Sequence, residues 1–497
     1  MTDFLNTLEI DKLLQLLRYD ASTPLLFNTG LFLMLFVGFM AIYQLLRRRR
    51  SLKMVFTIAF SLYFYYKSSA ECCYILLGVC LSDYIFGNLL GRLKSDWARK
   101  TVVAAVVIAD LSLLIYFKYF NLLYSTFAGL THTHFDALDI ILPAGISFFT
   151  FRSISYIVDI YRGDMQPERN LLHYTFCLTF FPPLLAGPVV RAKDLLPQIK
   201  ANPIATSAMT GEGLFLIMIG LIKKVIIADY ISGNFVDRVF DNPSLYSGFE
   251  NVMGCIGFTL QLYCDFSGYS DIAIGLALLM GYRFKQNFNA PFKAQNPQEF
   301  WHRWHISLST WLRDYLYIPM GGSRRGKART YLNNFLTMVL GGLWHGAGWM
   351  YVLWGAYHGL LLAGHKAIKG VWRVPESIRG SFGLRVINTA VTFALVVVGF
   401  AIFRASSPET LMAMGSQIVS DFHWSVAPQF IEGYALIVAA IIAGLMMHFA
   451  PSSWSGGMSR VYTAQPLMVQ GLLLAVVLFM VIQARSSDLV PFIYLQY

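Results

Sequence analysis

The chain has 497 residues, 56% of them hydrophobic and 13% charged, with a mean hydropathy of +0.53. A soluble domain is roughly a quarter charged, so an ordinary soluble enzyme is excluded, while 39 Phe, 27 Tyr and 10 Trp exclude a disordered chain and 6 Cys without a CxxC pair are too sparse for a disulfide scaffold. The formal charge of +11 would suggest nucleic acid as the partner of a soluble chain, but here the cations form short clusters at the ends of apolar runs, the pattern that holds such ends in the cytoplasm; the expected surroundings are membrane lipids, with no nucleic acid.

Residues 1–20 have neither the basic start nor the apolar stretch of a cleavable signal, and an interfacial helix is expected within 1–24. Apolar segments of about the twenty residues a span requires then follow. The segment 25–46 ends at Arg47, Arg48, Arg49 and Arg50, 54–66 and 69–90 pair as an out-and-back hairpin returning to the basic loop 92–100, 101–120 leads out, and 140–161 returns. The run 171–185 is interrupted by Pro182, Pro183, Gly187 and Pro188, so it ends or kinks there and must be shielded by protein or line a cavity. Further apolar segments cover 214–228, 252–279, 332–343, 349–364, 388–403, 434–449 and 469–482.

The expected fold class is therefore all-α: a polytopic membrane protein with about eleven transmembrane helices plus re-entrant or half-helices. No repeat is visible, parallel or inverted, which weakens the commonest transporter architecture.

Between 282 and 329 the chain turns polar, aromatic and basic (YRFKQNFNAPFKAQNPQEFWHRWHISLSTWLRDYLYIPMGGSRRGKAR), and a polar stretch between spans is a natural place for chemistry. His302, His305, Ser309 and Arg313 would share one helical face. His345 stands at the end of an apolar segment beside glycine, in LWHGAGW. A buried neutral imidazole can take a proton from a hydroxyl near neutral pH; the plain alternative is a histidine bonded to a backbone carbonyl. A metal set is disfavoured, since His302 and His305 lack HExxH or HxxEH spacing. Asp265 and Asp271, in QLYCDFSGYSD, suit capping or pairing with a nearby cation. The run Arg324, Arg325, Lys327, Arg329 reads as a solvated cytoplasmic face, or as a contact for anionic headgroups or cofactors. His132, His134, His173, His358, His365, His423 and His448 are expected to be structural. No phosphate loop, dinucleotide fingerprint, GxSxG elbow or kinase set is present.

Six stretches taken together resemble the membrane-bound O-acyltransferases, in the bacterial branch of the alginate O-acetylation membrane protein and the teichoic acid D-alanyl transfer protein. They are LPAGISFFTFRSISYIVDIYRG (142–163), FFPPLLAGPVVR (180–191), GLIKKVIIAD (220–229), DFSGYSDIAIGLALLMGYRFKQNFNAPF (265–292), EFWHRWHISLSTWLRDYLYIPMGG (299–322) and GGLWHGAGWMYVLWGAYHG (341–359). The resemblance implies transfer of an acyl group, acetyl foremost, to a hydroxyl, with helices around a tunnel. It places the family's catalytic histidine on His345 and a supporting one on His305. Asn287, Asn289, Trp304, Arg313 and Asp314 are candidate substrate contacts, as is Arg152, where relatives often carry Gln.

No bound cofactor is expected; the donor would be a thioester of coenzyme A or of an acyl carrier protein, met by the loop Arg324, Arg325, Lys327 and Arg329. Residues 25–120 would be peripheral helices, 121–405 the catalytic core and 406–497 the C-terminal helices. Location in a bacterial inner (plasma) membrane follows. Because the chain ends soon after its last helix, a separate extracytoplasmic partner of the SGNH type is expected to finish the transfer. A transporter or flippase of an acylated or lipid-linked envelope intermediate would also carry polar intramembrane residues; dependence on a thioester separates the two.

Overall fold

The computed structural model describes residues 15–21, 23–371, 375, 380–484 and 492–493, and among these there are helices and no strands. The interfacial helix expected over 1–24 lies for the most part outside the described residues. Among the described residues, four helical stretches can cross a membrane by length and composition: Arg50–Arg92, Asp96–Thr131, Phe382–Arg404 and Leu467–Ala484; a pair bent by 96°, Trp424–Gly433 with Ala435–Phe449, makes a fifth if it counts as one span. The chain divides into two compact units, 1–204 with 280–282, and 205–279 with 283–497.

In the first unit, α1 (Gly30–Leu45) starts where the Thr29 side chain accepts from Phe32 N. α2 (Arg50–Ser69) and α3 (Cys73–Arg92) are divided at Ala70, which has a φ of 48°. α4 (Asp96–Leu114) runs through a π-helical stretch into α5 (Phe120–Thr131), and α6 (Ile146–Arg162), α7 (Leu171–Thr179) and α8 (Ala192–Ala201) follow. α7 stops before the prolines, and residues 180–190 are irregular and buried throughout, as non-helical backbone at membrane depth requires. Gly145 (φ 70°) admits this segment: a Cβ there would stand 2.7 Å from Leu184 O. The polar centre of the unit is Ser153, whose Oγ lies 2.6 Å from Asp83 Oδ1 and 2.5 Å from Asp110 Oδ2, while Tyr174 donates to Asp83 at 2.6 Å.

The second unit is built on α9 (Ser207–Leu221), capped by Thr206, and α10 (Gly248–Leu279), a buried helix of 32 residues. They meet along a glycine seam at heptad spacing. A Cβ on Gly213 would stand 2.8 Å from Gly275 O, one on Gly220 2.6 Å from Gly268 O, and the reverse contacts are as close; only hydrogen at these positions lets the backbones approach. Beyond α9, Lys224 is fully buried and pairs with Asp229 (2.8 Å) and Asp265 (2.5 Å), while Lys223 pairs with Asp271 (2.7 Å). The capping-or-pairing expectation for Asp265 and Asp271 is met by pairing. The backbone N–H of Ile493 donates to the other oxygen of Asp265.

Further helices of this unit include α11 (Pro297–Arg303), α12 (Ile306–Leu312), α13 (Lys327–His345), α14 (Trp349–Val371), α15 (Phe382–Arg404), α16 (Pro408–Ser420), α17 (Ala435–Phe449), α18 (Ser452–Thr463) and α19 (Leu467–Ala484). α13 and α14 are antiparallel and pressed together at Gly342, Gly355 and Gly359, where any Cβ would meet backbone of the facing helix.

Substituting Gly220 by Val should force the α9–α10 seam apart, at a cost of about 1–3 kcal/mol or more. A lowered thermal midpoint in detergent, measured against Gly233→Ala, which has open space at its Cβ, checks this; equal midpoints would contradict the seam.

Candidate active site

The site is assembled in the second unit around two histidines. His345 is the last residue of α13, and the helix ends there because Gly346 turns extended (φ −158°, ψ 154°) against the Tyr351 ring, which leaves no room for a Cβ. The imidazole is 4% exposed and packed edge-on by Trp354 (ring centroids 5.0 Å, 89°), Phe403 (5.5 Å) and Trp344 (5.1 Å). The ring of His305 lies 6.4 Å away and is fully buried against Phe266.

The expected single helical face through 302, 305, 309 and 313 is broken. α11 ends at Arg303, Trp304 is extended, His305 has left-handed backbone (φ 42°, ψ 54°), and α12 begins at Ile306. A non-glycine residue seldom adopts that conformation unless its surroundings impose it, and here Asn287 does. Its carbonyl accepts from Ile306 N (2.9 Å); its side-chain Oδ1 accepts from Ser307 N (3.2 Å) and Ser307 Oγ (2.8 Å); its Nδ2 donates to Ser270 Oγ (3.2 Å).

A backbone N–H can only donate, so the oxygen of the Asn287 amide must face Ser307. The same oxygen stands 3.2 Å from His305 Nδ1, which therefore carries the proton and leaves the lone pair on Nε2. Asn287, itself 1% exposed, thus sets both the backbone turn and the ring tautomer at His305.

Other candidates divide. His302, Ser309 and Arg313 line one cavity of about 380 Å³ whose deeper wall includes Trp301, Asn334 and Met338. Trp301 packs at 5.7 Å on Trp354, which in turn packs on His345. Lys366 lines both this cavity and a neighbouring crevice that contains Lys327 and Tyr331. Arg313 pairs with Asp314 (2.7 Å) at the surface, and Arg324, Arg325, Lys327 and Arg329 are exposed.

Three further candidates are held by other contacts. Trp304 is a core residue, 1% exposed and stacked on Phe300. Asn289 is exposed and pairs with Arg303 through its backbone. Arg152 belongs to the first unit, where it is 3% exposed and its guanidinium donates to the carbonyl of Cys177.

A family model described as MBOAT, membrane-bound O-acyltransferase family, matches residues 168–379. The probable alginate O-acetylase AlgI of Pseudomonas syringae is 40% identical over 412 residues, 81% of this chain and 77% of that one. The chain belongs to the membrane-bound O-acyltransferase family. The peptidoglycan O-acetyltransferase of Helicobacter pylori is 34% identical over 78% of either chain, and the teichoic acid D-alanyltransferase of Bacillus subtilis 29% over 54% of this chain and 70% of its own. As a membrane-bound O-acyltransferase, the protein is an enzyme of acyl transfer, and both of its candidate histidines lie within the matched region.

In the sequence of this acyltransferase Trp301 stands within the histidine-bearing stretch 299–322, whereas Trp354 is given no role and His358 is expected to be structural. The signal that could have singled out Trp354 is the spacing 354, 358, 362, 366 on α14, one stripe that runs from Lys366 toward His345.

Replacing Asn287 by Ala removes the acceptor that His305 and Ser307 share. Acyl transfer should fall at least tenfold, while Asn287→Asp, which keeps that oxygen, should retain more activity than Ala; the reverse order would sink the positioning role.

Proposed function

We propose that this acyltransferase moves an acyl group, acetyl foremost, from a cytoplasmic thioester to a hydroxyl of an extracytoplasmic polysaccharide or of a partner protein. The observation that carries this reading is the buried imidazole of His345 at the end of α13, two indoles away from a cavity whose outer residues are cationic. The names of relatives support the acceptor class: alginate, peptidoglycan and teichoic acid are envelope or exported polymers.

In this reading His345 accepts the proton of the acceptor hydroxyl, whose oxygen attacks the thioester carbonyl carbon. A C–O bond forms as the carbonyl electrons move onto its oxygen; collapse then breaks the C–S bond, and the departing thiolate takes the proton back from the imidazolium. His305 assists from 6.4 Å with its tautomer set by Asn287.

The donor arm occupies the cavity, where the amide nitrogen of Asn334 is buried without a hydrogen-bond partner among the described residues and can meet a carbonyl along it. Lys366, Arg313 and the exposed Arg324, Arg325, Lys327 and Arg329 attract the phosphates of coenzyme A or an acidic carrier protein. The chain sits in a bacterial inner membrane with about eleven crossings, the shorter apolar helices adding to the long ones, and hands its product to an SGNH-type partner outside.

The test is the polymer ester content of cells that carry wild type or His345→Ala, with folding of the variant checked by detergent chromatography. Ester should fall by a factor of at least about 100; ester retained at wild-type levels would favour a transporter and end the reading. Lys366→Glu should raise the KM for the thioester severalfold with a smaller effect on kcat, and the difference should shrink at high salt.

A further inference from the structure

Among the described residues around His345, two indole donors have nothing to donate to. The indole nitrogens of Trp301 (7% exposed) and Trp354 (2% exposed) have no hydrogen-bond partner among the described residues. A buried N–H without an acceptor is destabilising, and native proteins keep few of them. These two belong to rings in contact with each other, centroids 5.7 Å apart at 69°, and Trp354 also touches the His345 ring.

A third unpaired nitrogen nearby is different: His358 Nε2 faces the backbone of Gly399, where a Cβ would stand 2.7 Å away. The His358 ring instead packs on both indoles, at 5.2 Å from Trp301 and 4.9 Å from Trp354, and holds the angle between them.

We infer that the indole N–H groups of Trp301 and Trp354 bind the carbonyl oxygen of the transferred acyl group and stabilise the negative charge it gains when the acceptor hydroxyl attacks. This rests on the proposed acyl transfer at His345 and adds what the base leaves undone. As the C–O bond forms, the carbonyl electron pair moves to oxygen, and that oxygen needs donors about 2.7–3.1 Å away that are already oriented. Two nitrogens that share one oxygen stand no more than about 6 Å apart by that distance, a span consistent with rings in contact. Trp301 also lines the cavity, so the acyl end of a donor arm entering there meets the Trp301 ring first, with Trp354 packed between it and His345. The sequestered ring pair favours a small acyl group presented by a thin arm.

Trp301→Phe and Trp354→Phe each keep a ring and remove the N–H. In cells, with abundance and thermal midpoint of each variant matched to wild type, the rate of ester incorporation should fall on the order of a hundredfold. In isolated membranes supplied with acetyl-coenzyme A, kcat should fall while the KM for the donor stays within about twofold, since the N–H meets the charge only in the transition state. Full rates in both variants, with His345→Ala inactive, overturn the inference and leave the acyl-transfer reading standing. A full rate in His345→Ala removes that reading and the inference with it. A loss explained by a rise in KM, or by loss of folded protein in both variants, also overturns the inference; if one variant fails to accumulate, the other decides alone.

Discussion

The hydrogen bonds of Asn287 hold the break between two short helices open, and the arrangement of the histidines depends on them. Where a helix stops inside a membrane protein, its backbone groups need partners that lipid cannot supply. Asn287 supplies them with its carbonyl to Ile306 and its amide oxygen to Ser307, while its amide nitrogen anchors the assembly to Ser270 on α10. His305 can then keep its left-handed backbone and point its ring toward Phe266 and His345. A continuous helix would have set it beside His302 instead, on the cavity side.

That anchor is only as firm as α10, and α10 is held in two ways. Glycines at heptad spacing let it approach α9 backbone to backbone, so the interface gains dispersion contacts along its length. Beside the seam, Lys224 and Lys223 are removed from solvent and matched by Asp229, Asp265 and Asp271. Such pairs add little net stability, because desolvation offsets attraction, but removing one partner strands the other charge. The consequence is register: α10 is held against the segment 223–229 where the lysines meet their carboxylates, and Phe266 and Ser270, on the same helix, are delivered to His305 and Asn287.

α13 and α14 perform a complementary task. Their glycine contacts bring His345, at the end of one, level with Trp354, near the start of the other. From Trp354 the stripe runs through His358 to Leu362 and Lys366, and the last two line the cavity, so one helix carries aromatic rings at one end and a cation at the other.

Much of this protein was legible in its sequence because lipid imposes a simple rule. Twenty apolar residues and proline breaks are informative there, and the all-helical architecture and the irregular stretch after Thr179 both followed. The motif around His345 was equally readable, since a histidine between an apolar helix and a glycine announces a helix end.

What only the tertiary structure decided concerns side chains whose neighbours are far away in sequence. Local spacing put His302 and His305 on one face, and the long-range bonds of Asn287 separated them. Asn289 and Trp304 stand in the same stretches as the histidines, and only the structure shows the one held through its backbone to Arg303 and the other stacked on Phe300. A sequence does not show whether the indole N–H of Trp301 or Trp354 has an acceptor; the packed structure does. Periodicity encodes which elements form, while satisfaction of buried polar groups is a property of the packed whole.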